Sequence, residues 1–175
     1  KVNTSNVKSM IGTFWGSDYL HLWKGLEDWD VSNVENMEAI FSQNEFTSDY
    51  DMLAHWDVSN VKNMKEAFRR ATASYRVTDK ATLNDYVDFK GIAYWDTSNV
   101  NNMSAMFYYC DKLTSLDVSN FDTGKVNNMS AMFYYCSSLT SINLSNWDVS
   151  GVSNMSSMFS GCSSLASLDL SNWVV

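Results

Sequence analysis

The stretch VNNMSAMFYYC occupies residues 100–110 and occurs again, unchanged, at residues 126–136. A third version, VSNMSSMFSGC, occupies residues 152–162. Each version lies in a longer unit that runs from an aromatic residue followed by Asp to a Phe twelve residues later, and this unit occurs five times. With a decayed copy at residues 2–14, the chain holds six copies. Repetition of this kind predicts a stack of similar units around one continuous core.

The spacing of the copies predicts one domain over residues 1–175. The Met that anchors each copy recurs every 26 or 27 residues, except for one step of 39. The long step contains an insertion at about residues 71–83, and residues 78–87 are predicted to form a small extra helix. Because the chain begins and stops inside repeats, we expect it to be a piece of a longer surface protein.

The apolar pattern of the unit predicts its local structure. Within residues 100–110 the apolar side chains recur at i, i+3, i+6, i+7 and i+10, which favours a short helix, and Ser98 is placed to cap it. The following Leu-x-x-Leu-x-Leu pattern alternates as a half-buried strand does. In the first three copies an extra residue should turn an aromatic residue inward (Trp23, Tyr50 and Phe89). The prediction is an α/β solenoid of about six repeats of 26–27 residues, with short parallel strands on one face and short helices on the other.

Composition excludes several classes of protein. The net charge of −8 argues against a nucleic-acid partner, because duplex binding depends on clustered Lys and Arg. No run of about 18 apolar residues and no charged-then-apolar leader is present, so we predict no membrane insertion by this segment.

Two motifs resemble known bacterial repeats. The run MFYYCSSLTSINL at residues 132–144 resembles the BspA-type leucine-rich repeat, and WDVSNVxNM at residues 29–37 and 56–64 resembles a surface-lipoprotein repeat of mycoplasmas and lactobacilli. The resemblance implies a leucine-rich-repeat-like fold on an extracellular bacterial cell surface, with adhesion as the usual proposed activity.

Few residues suggest chemistry. Cys110, Cys136 and Cys162 occupy one repeat position and are predicted to be buried free thiols, with disulfide or metal roles less favoured. The Asp after each repeat aromatic is predicted to accept hydrogen bonds from its own turn, with a calcium column as the alternative. His21 and His55 have no nucleophile at a recognisable spacing, so we predict no enzyme, no cofactor and no metal.

The leading hypothesis is a non-enzymatic, adhesion-type interaction module that binds a protein or glycan of a host or neighbouring cell. Arg69, Arg70, Tyr75 and Arg76 cluster at the insertion of an acidic chain and are the predicted partner-binding residues, since Arg and Tyr are favoured in binding hot spots. A structural spacer is one alternative. A glycan-binding module with Tyr19, His21 and Trp23 as platforms is another.

Overall fold

The computed structural model describes residues 2–17, 24–44, 51–72 and 89–174. In these ranges the regular elements are two 3-10 helices, Asp51–His55 and Lys90–Tyr94. Five isolated parallel bridges connect one residue of each repeat to the next: Ser9 to Asn36, Asn36 to Asn63, Asn63 to Asn102, Asn102 to Asn128 and Asn128 to Asn154. Neither helix has the length and apolar content that a bilayer-spanning segment needs.

The predicted α/β solenoid is therefore wrong, since the described residues form no α-helix and no strand longer than a bridge. Residues 100–110 form consecutive turns instead of a helix. Ala105 and Tyr109 have φ angles of 53° and 58°, whereas a right-handed helix needs a negative φ throughout. Ser98 caps nothing, and its own backbone N–H donates to Asp96 Oδ1 at 3.0 Å.

Hydrogen bonding in this turn segment alternates between two directions. The N–H groups of Met106, Tyr108 and Cys110 each donate to the carbonyl three residues earlier. The N–H groups of Ala105 and Phe107 point instead to the following repeat. Ala105 donates to Ser130 O and Phe107 donates to Met132 O. Half of the segment's donors are thus satisfied only by a neighbouring repeat. The consecutive turns are therefore stable only when the next repeat supplies these acceptors.

A column of phenylalanine rings forms the centre of the core. The rings of the six repeats stack in sequence with centroid separations of 5.4–5.7 Å, in the order Phe14, Phe41, Phe68, Phe107, Phe133 and Phe159. The first five are at most 2% exposed. Equivalent side chains therefore line up along the stack, as the repeat pattern predicts.

Tryptophans at the repeat position also join neighbouring repeats. Nε1–H of Trp56 donates to Leu26 O at 2.9 Å, and Nε1–H of Trp95 donates to Leu53 O at 2.8 Å. Both indoles are buried, so each ring fills the core and satisfies a carbonyl of the preceding repeat.

The connections bury the side chains that the sequence pattern selects, but not as strands. Leu116 and Val118 are buried while Asp117 between them is exposed. Phe89 is buried and Lys90 is exposed, so the inward turn predicted for Phe89 is confirmed. Trp23, Tyr50 and the predicted helix at residues 78–87 lie outside the described residues.

Candidate binding face

Two rows of side chains leave the turn segments side by side on the surface. They start at neighbouring positions of each unit, one and two residues after the core Phe. Arg69, Tyr108 and Tyr134 belong to the first row, and Arg70, Tyr109 and Tyr135 belong to the second. We call these six residues the tyrosine–arginine face.

Backbone hydrogen bonds fix the spacing along both rows. Arg70 N–H donates to Tyr108 O and Tyr109 N–H donates to Tyr134 O, each at 2.7 Å. Successive rings consequently stack at short range: Tyr108 on Tyr134 at 4.9 Å and 7°, and Tyr109 on Tyr135 at 4.8 Å and 2°. The ring planes are parallel because the two backbones that carry them are in register.

The arginines extend the rows at one end. The guanidinium of Arg69 lies 5.3 Å from the centroid of the Tyr108 ring, and that of Arg70 lies 5.2 Å from the centroid of the Tyr109 ring. Both distances are within cation–π range. Arg69 also forms an ion pair with Glu66 at 3.7 Å. The positive charges are therefore held in place before any ligand arrives.

At the opposite end, a glycine closes the second row. In the last repeat the second-row position is held by Gly161, which has φ of 80°. A Cβ on Gly161 would come within 2.7 Å of the Tyr135 ring. The outer face of that ring is thus covered by backbone. In the second row, ring edges and hydroxyls therefore remain for a ligand, and Tyr135 is still 42% exposed.

The hydroxyl of Tyr134 is a hydrogen-bond donor at neutral pH. Partial removal from water, and then the neighbouring phenols beginning with Tyr108, raise the pKa of Tyr134 above its ordinary value of 10.0. A phenol with a raised pKa keeps its proton and donates.

The family comparison covers the whole chain. A family model described as "Mycoplasma protein of unknown function, DUF285" matches residues 1–86 and residues 75–175. The chain belongs to this family. Neither the curated proteins nor the solved structures gave a match. The predicted mycoplasma-type repeat is confirmed at the level of this DUF285 family, whose description names neither BspA nor a leucine-rich repeat.

The sequence predicted only part of the face of this DUF285 chain. Arg69 lies on the face and contacts Tyr108 of the first row, and Arg70 contacts Tyr109 of the second row. Tyr75 and Arg76 lie outside the described residues. The four tyrosines were missed because the copied unit was interpreted as a core helix. The signal that could have found them is their position, since both tyrosines of each copy fall between members of the apolar stripe.

A second surface feature lies among the connections. Phe89, Leu116 and Ile142 line a shallow depression of about 460 Å³, with Lys90 and Asp117 at its margin. The depression is open and the charged groups at its margin have opposite sign, so it is a weaker candidate than the tyrosine–arginine face.

The repeated aspartates bond as the sequence predicts. In each of these five units Oδ1 accepts a hydrogen bond of 2.9–3.1 Å from the backbone N–H two residues later; the aspartates are Asp30, Asp57, Asp96, Asp122 and Asp148. Hydrogen bonds from the hydroxyl and then the amide of Ser32 lower the pKa of Asp30. Across the described ranges no three His, Cys, Asp or Glu side chains are grouped as a metal site requires.

The cysteines are free thiols, as predicted. Cys110 and Cys136 are buried, and Cys162 in the last repeat is half-buried. Each thiol donates to the carbonyl of the core Phe in the preceding repeat, at 3.1–3.2 Å. Burial raises the pKa of Cys110 to about 12 and raises the pKa of Cys162 as well.

We expect Cys162 to react with a disulfide reagent at least about tenfold faster than Cys110 in the native protein at pH 8, because thiolate fraction and access decide the rate. Mass spectrometry of the digested protein gives the rate at each site, and denaturant should make all three sites react alike. Native labelling of Cys110 as fast as Cys162 would contradict the burial.

The raised pKa of Cys110 also predicts a pH dependence of stability. Above pH 9.0, the ordinary pKa of the thiol, the unfolded chain loses this proton while the folded chain keeps it, so the free energy of unfolding should fall as pH rises.

Proposed function

We propose that this chain is a non-enzymatic interaction module of an extracellular bacterial surface, and that the tyrosine–arginine face binds a protein. The observation that carries the proposal is the preformed arrangement of two guanidinium groups and four phenols in two parallel rows. Tyr and Arg contribute a large share of binding energy at protein interfaces. Side chains that are already stacked lose less conformational entropy on binding than free ones.

Membership of DUF285 and the resemblance of the motifs to BspA-type surface repeats support the surface location. The resemblance concerns sequence motifs, and the leucine-rich-repeat fold is not part of the proposal. The partner we propose is a protein surface rich in carboxylates and carbonyls, because the face offers guanidinium N–H groups and phenol hydroxyls as donors.

A protein suits the face better than a glycan does. Sugars bind aromatic residues mainly through the flat face of the ring. Here the faces of Tyr109 and Tyr135 are covered by Arg70, by each other and by Gly161. The predicted glycan platform of Tyr19, His21 and Trp23 lies outside the described residues and stays a separate alternative.

The chain itself supplies substitutions for the test. Gln43 occupies the second-row position of its own repeat with φ of 59°, close to the 58° of Tyr109 and the 55° of Tyr135. The triple variant R70Q/Y109Q/Y135Q therefore removes the side chains of the second row and places at each position a residue type that already has a positive φ at the equivalent position of this chain. A matched control, S115A/S141A/S167A, changes three connection positions away from the face.

We expect the immobilised chain to retain a surface protein from solubilised animal-cell membranes, and the triple variant to bind that protein at least about tenfold more weakly, as loss of a hot-spot cluster does. Biolayer interferometry with the purified partner measures both dissociation constants, and the control should match the unchanged chain. Equal affinity of the triple variant would refute the site. Retention of no protein at all would favour the spacer, and a glycan-array signal lost in the triple variant would refute the choice of a protein partner.

A further inference from the structure

The tyrosines are the oxidisable side chains of the two copied units, residues 100–110 and 126–136, that reach the surface. Oxidation of a sulfur-containing side chain depends on its exposure to the oxidant. The sulfur-containing residues of both units are all 0% exposed, and they are Met103, Met106, Cys110, Met129, Met132 and Cys136. Tyr135, by contrast, is 42% exposed. An oxidant in the surrounding water therefore reaches a phenol of these units before it reaches a sulfur.

The second row of the tyrosine–arginine face holds two phenol rings in a fixed arrangement. The ring centroids of Tyr109 and Tyr135 lie 4.8 Å apart, with 2° between the ring planes. The backbone sets this separation, since Tyr109 N–H donates to Tyr134 O at 2.7 Å. Groups that one chain holds side by side react with each other far more often than with groups of a second chain in solution. The pair is thus placed for a bond between repeats.

The second row is better placed for oxidation than the first. Tyr135 is exposed, whereas Tyr108 and Tyr134 of the first row are both half-buried. Partial removal from water, and then the neighbouring phenols beginning with Tyr108, also raise the pKa of Tyr134. A phenol must give up its proton to become a neutral radical, so a phenol that holds its proton more tightly is oxidised less readily. Gly161 covers one face of the Tyr135 ring and leaves its edge open.

We propose that Tyr109 and Tyr135 form an oxidative cross-linking site, at which one dityrosine bond joins the two copied units. The oxidant is hydrogen peroxide acting through a haem peroxidase. Each phenol loses one electron to the peroxidase and one proton to water. The two radicals then form a carbon–carbon bond between the ring positions beside their hydroxyls, and the hydrogen on each joined carbon moves to the oxygen. The two tyrosines together lose two hydrogen atoms, and one peroxide is reduced to two waters.

The bond would connect two repeats that no disulfide connects. Cys110 and Cys136 lie in the same two units and are free thiols. Tyr109 and Tyr135 are one repeat apart, and a cross-link across such a loop stabilises a fold by constraining the unfolded chain. Both hydroxyls remain after coupling, so the face keeps its donors. The inference goes beyond the proposed binding function and does not rest on it.

Treatment of the full chain with a haem peroxidase and a limiting amount of hydrogen peroxide tests the proposal. We expect a monomeric product that is lighter by two hydrogen atoms and has the blue fluorescence of dityrosine. Tandem mass spectrometry of its digest should join the peptide that contains Tyr109 to the peptide that contains Tyr135. The monomeric share of the dityrosine should stay constant over about a hundredfold dilution, because a reaction within one chain does not depend on its concentration.

Three conservative variants locate the site. Y135F should lower the yield of the monomeric product at least about fivefold, because phenylalanine has no hydroxyl proton to lose and the held pair is broken. Y134F, the matched control in the first row, should leave the yield within about twofold. Y94F should do the same, since Tyr94 is 77% exposed and stacks on no ring among the described residues. Tyr94 should form cross-links between chains only.

The opposite results are equally clear. Dityrosine found only between chains, or a monomeric share that falls on dilution, would overturn the proposal. A Y135F chain that forms the monomeric product as readily as the unchanged chain would do the same, and so would oxidation of the buried methionines before the tyrosines. No binding partner enters the experiment, so its failure would leave the proposed function standing.

Discussion

Phe107→Ala is expected to lower the free energy of unfolding by about 3–5 kcal/mol, the cost of truncating a fully buried phenylalanine. Phe107 is 0% exposed and stacks on Phe68 at 5.6 Å and on Phe133 at 5.7 Å. The cavity would open in the middle of the ring column, with a neighbour lost on both sides. Urea unfolding followed by tryptophan fluorescence measures the change.

Phe159→Ala is the matched control for this prediction. Phe159 holds the same position in the last repeat, is partly exposed and, among the residues that the structure describes, stacks on one phenylalanine. Its truncation should cost clearly less, because part of the ring already contacts water. Equal losses for the two variants would contradict a core that is continuous through the inner repeats and open at the last one.

Ala131→Pro is expected to cost at least about 3 kcal/mol, for two reasons that act together. Ala131 has φ of 53°, whereas the proline ring holds φ at about −65°. Proline also removes the N–H that donates to Ser156 O at 2.8 Å, which is one of the bonds between repeats. Thermal unfolding followed by circular dichroism measures the loss.

Ala131→Gly should change stability by less than about 1 kcal/mol. Glycine relieves the left-handed conformation that costs an alanine about 1–2 kcal/mol, while its freedom in the unfolded chain offsets part of the gain. A large loss with glycine would show that the methyl group, rather than the backbone geometry, matters at this position.

The sequence predicts the repeat, its register and the side chains that fill the core, because burial depends on which positions are apolar and these recur in every copy. It does not predict the backbone between them. The spacing of Val100, Met103 and Phe107 fits a helix and a row of turns equally well. The choice between them depends on where the N–H groups of Ala105 and Phe107 donate, and their acceptors lie 25 residues further along the chain.

The binding face illustrates the same limit. Arg69 and Arg70 were predicted from their place at the insertion of an acidic chain and from the enrichment of Arg in binding hot spots. Tyr108 and Tyr134 were assigned to a helix, and only the turn conformation brings them out in a row beside Arg69. A single copy shows that its two tyrosines fall between apolar positions, but the backbone between repeats decides which residues they share a surface with.

The exact copying of residues 100–110 at residues 126–136 means that the two units are interchangeable at their contacts. Removing residues 100–125 joins Asn99 to Val126, as it was joined to Val100, and brings Arg69 and Arg70 directly against Tyr134 and Tyr135. Each row would become one ring shorter, with the same neighbour at either end. Gain or loss of one 26-residue unit in the gene therefore changes the number of rings in each row without any substitution in the remaining units.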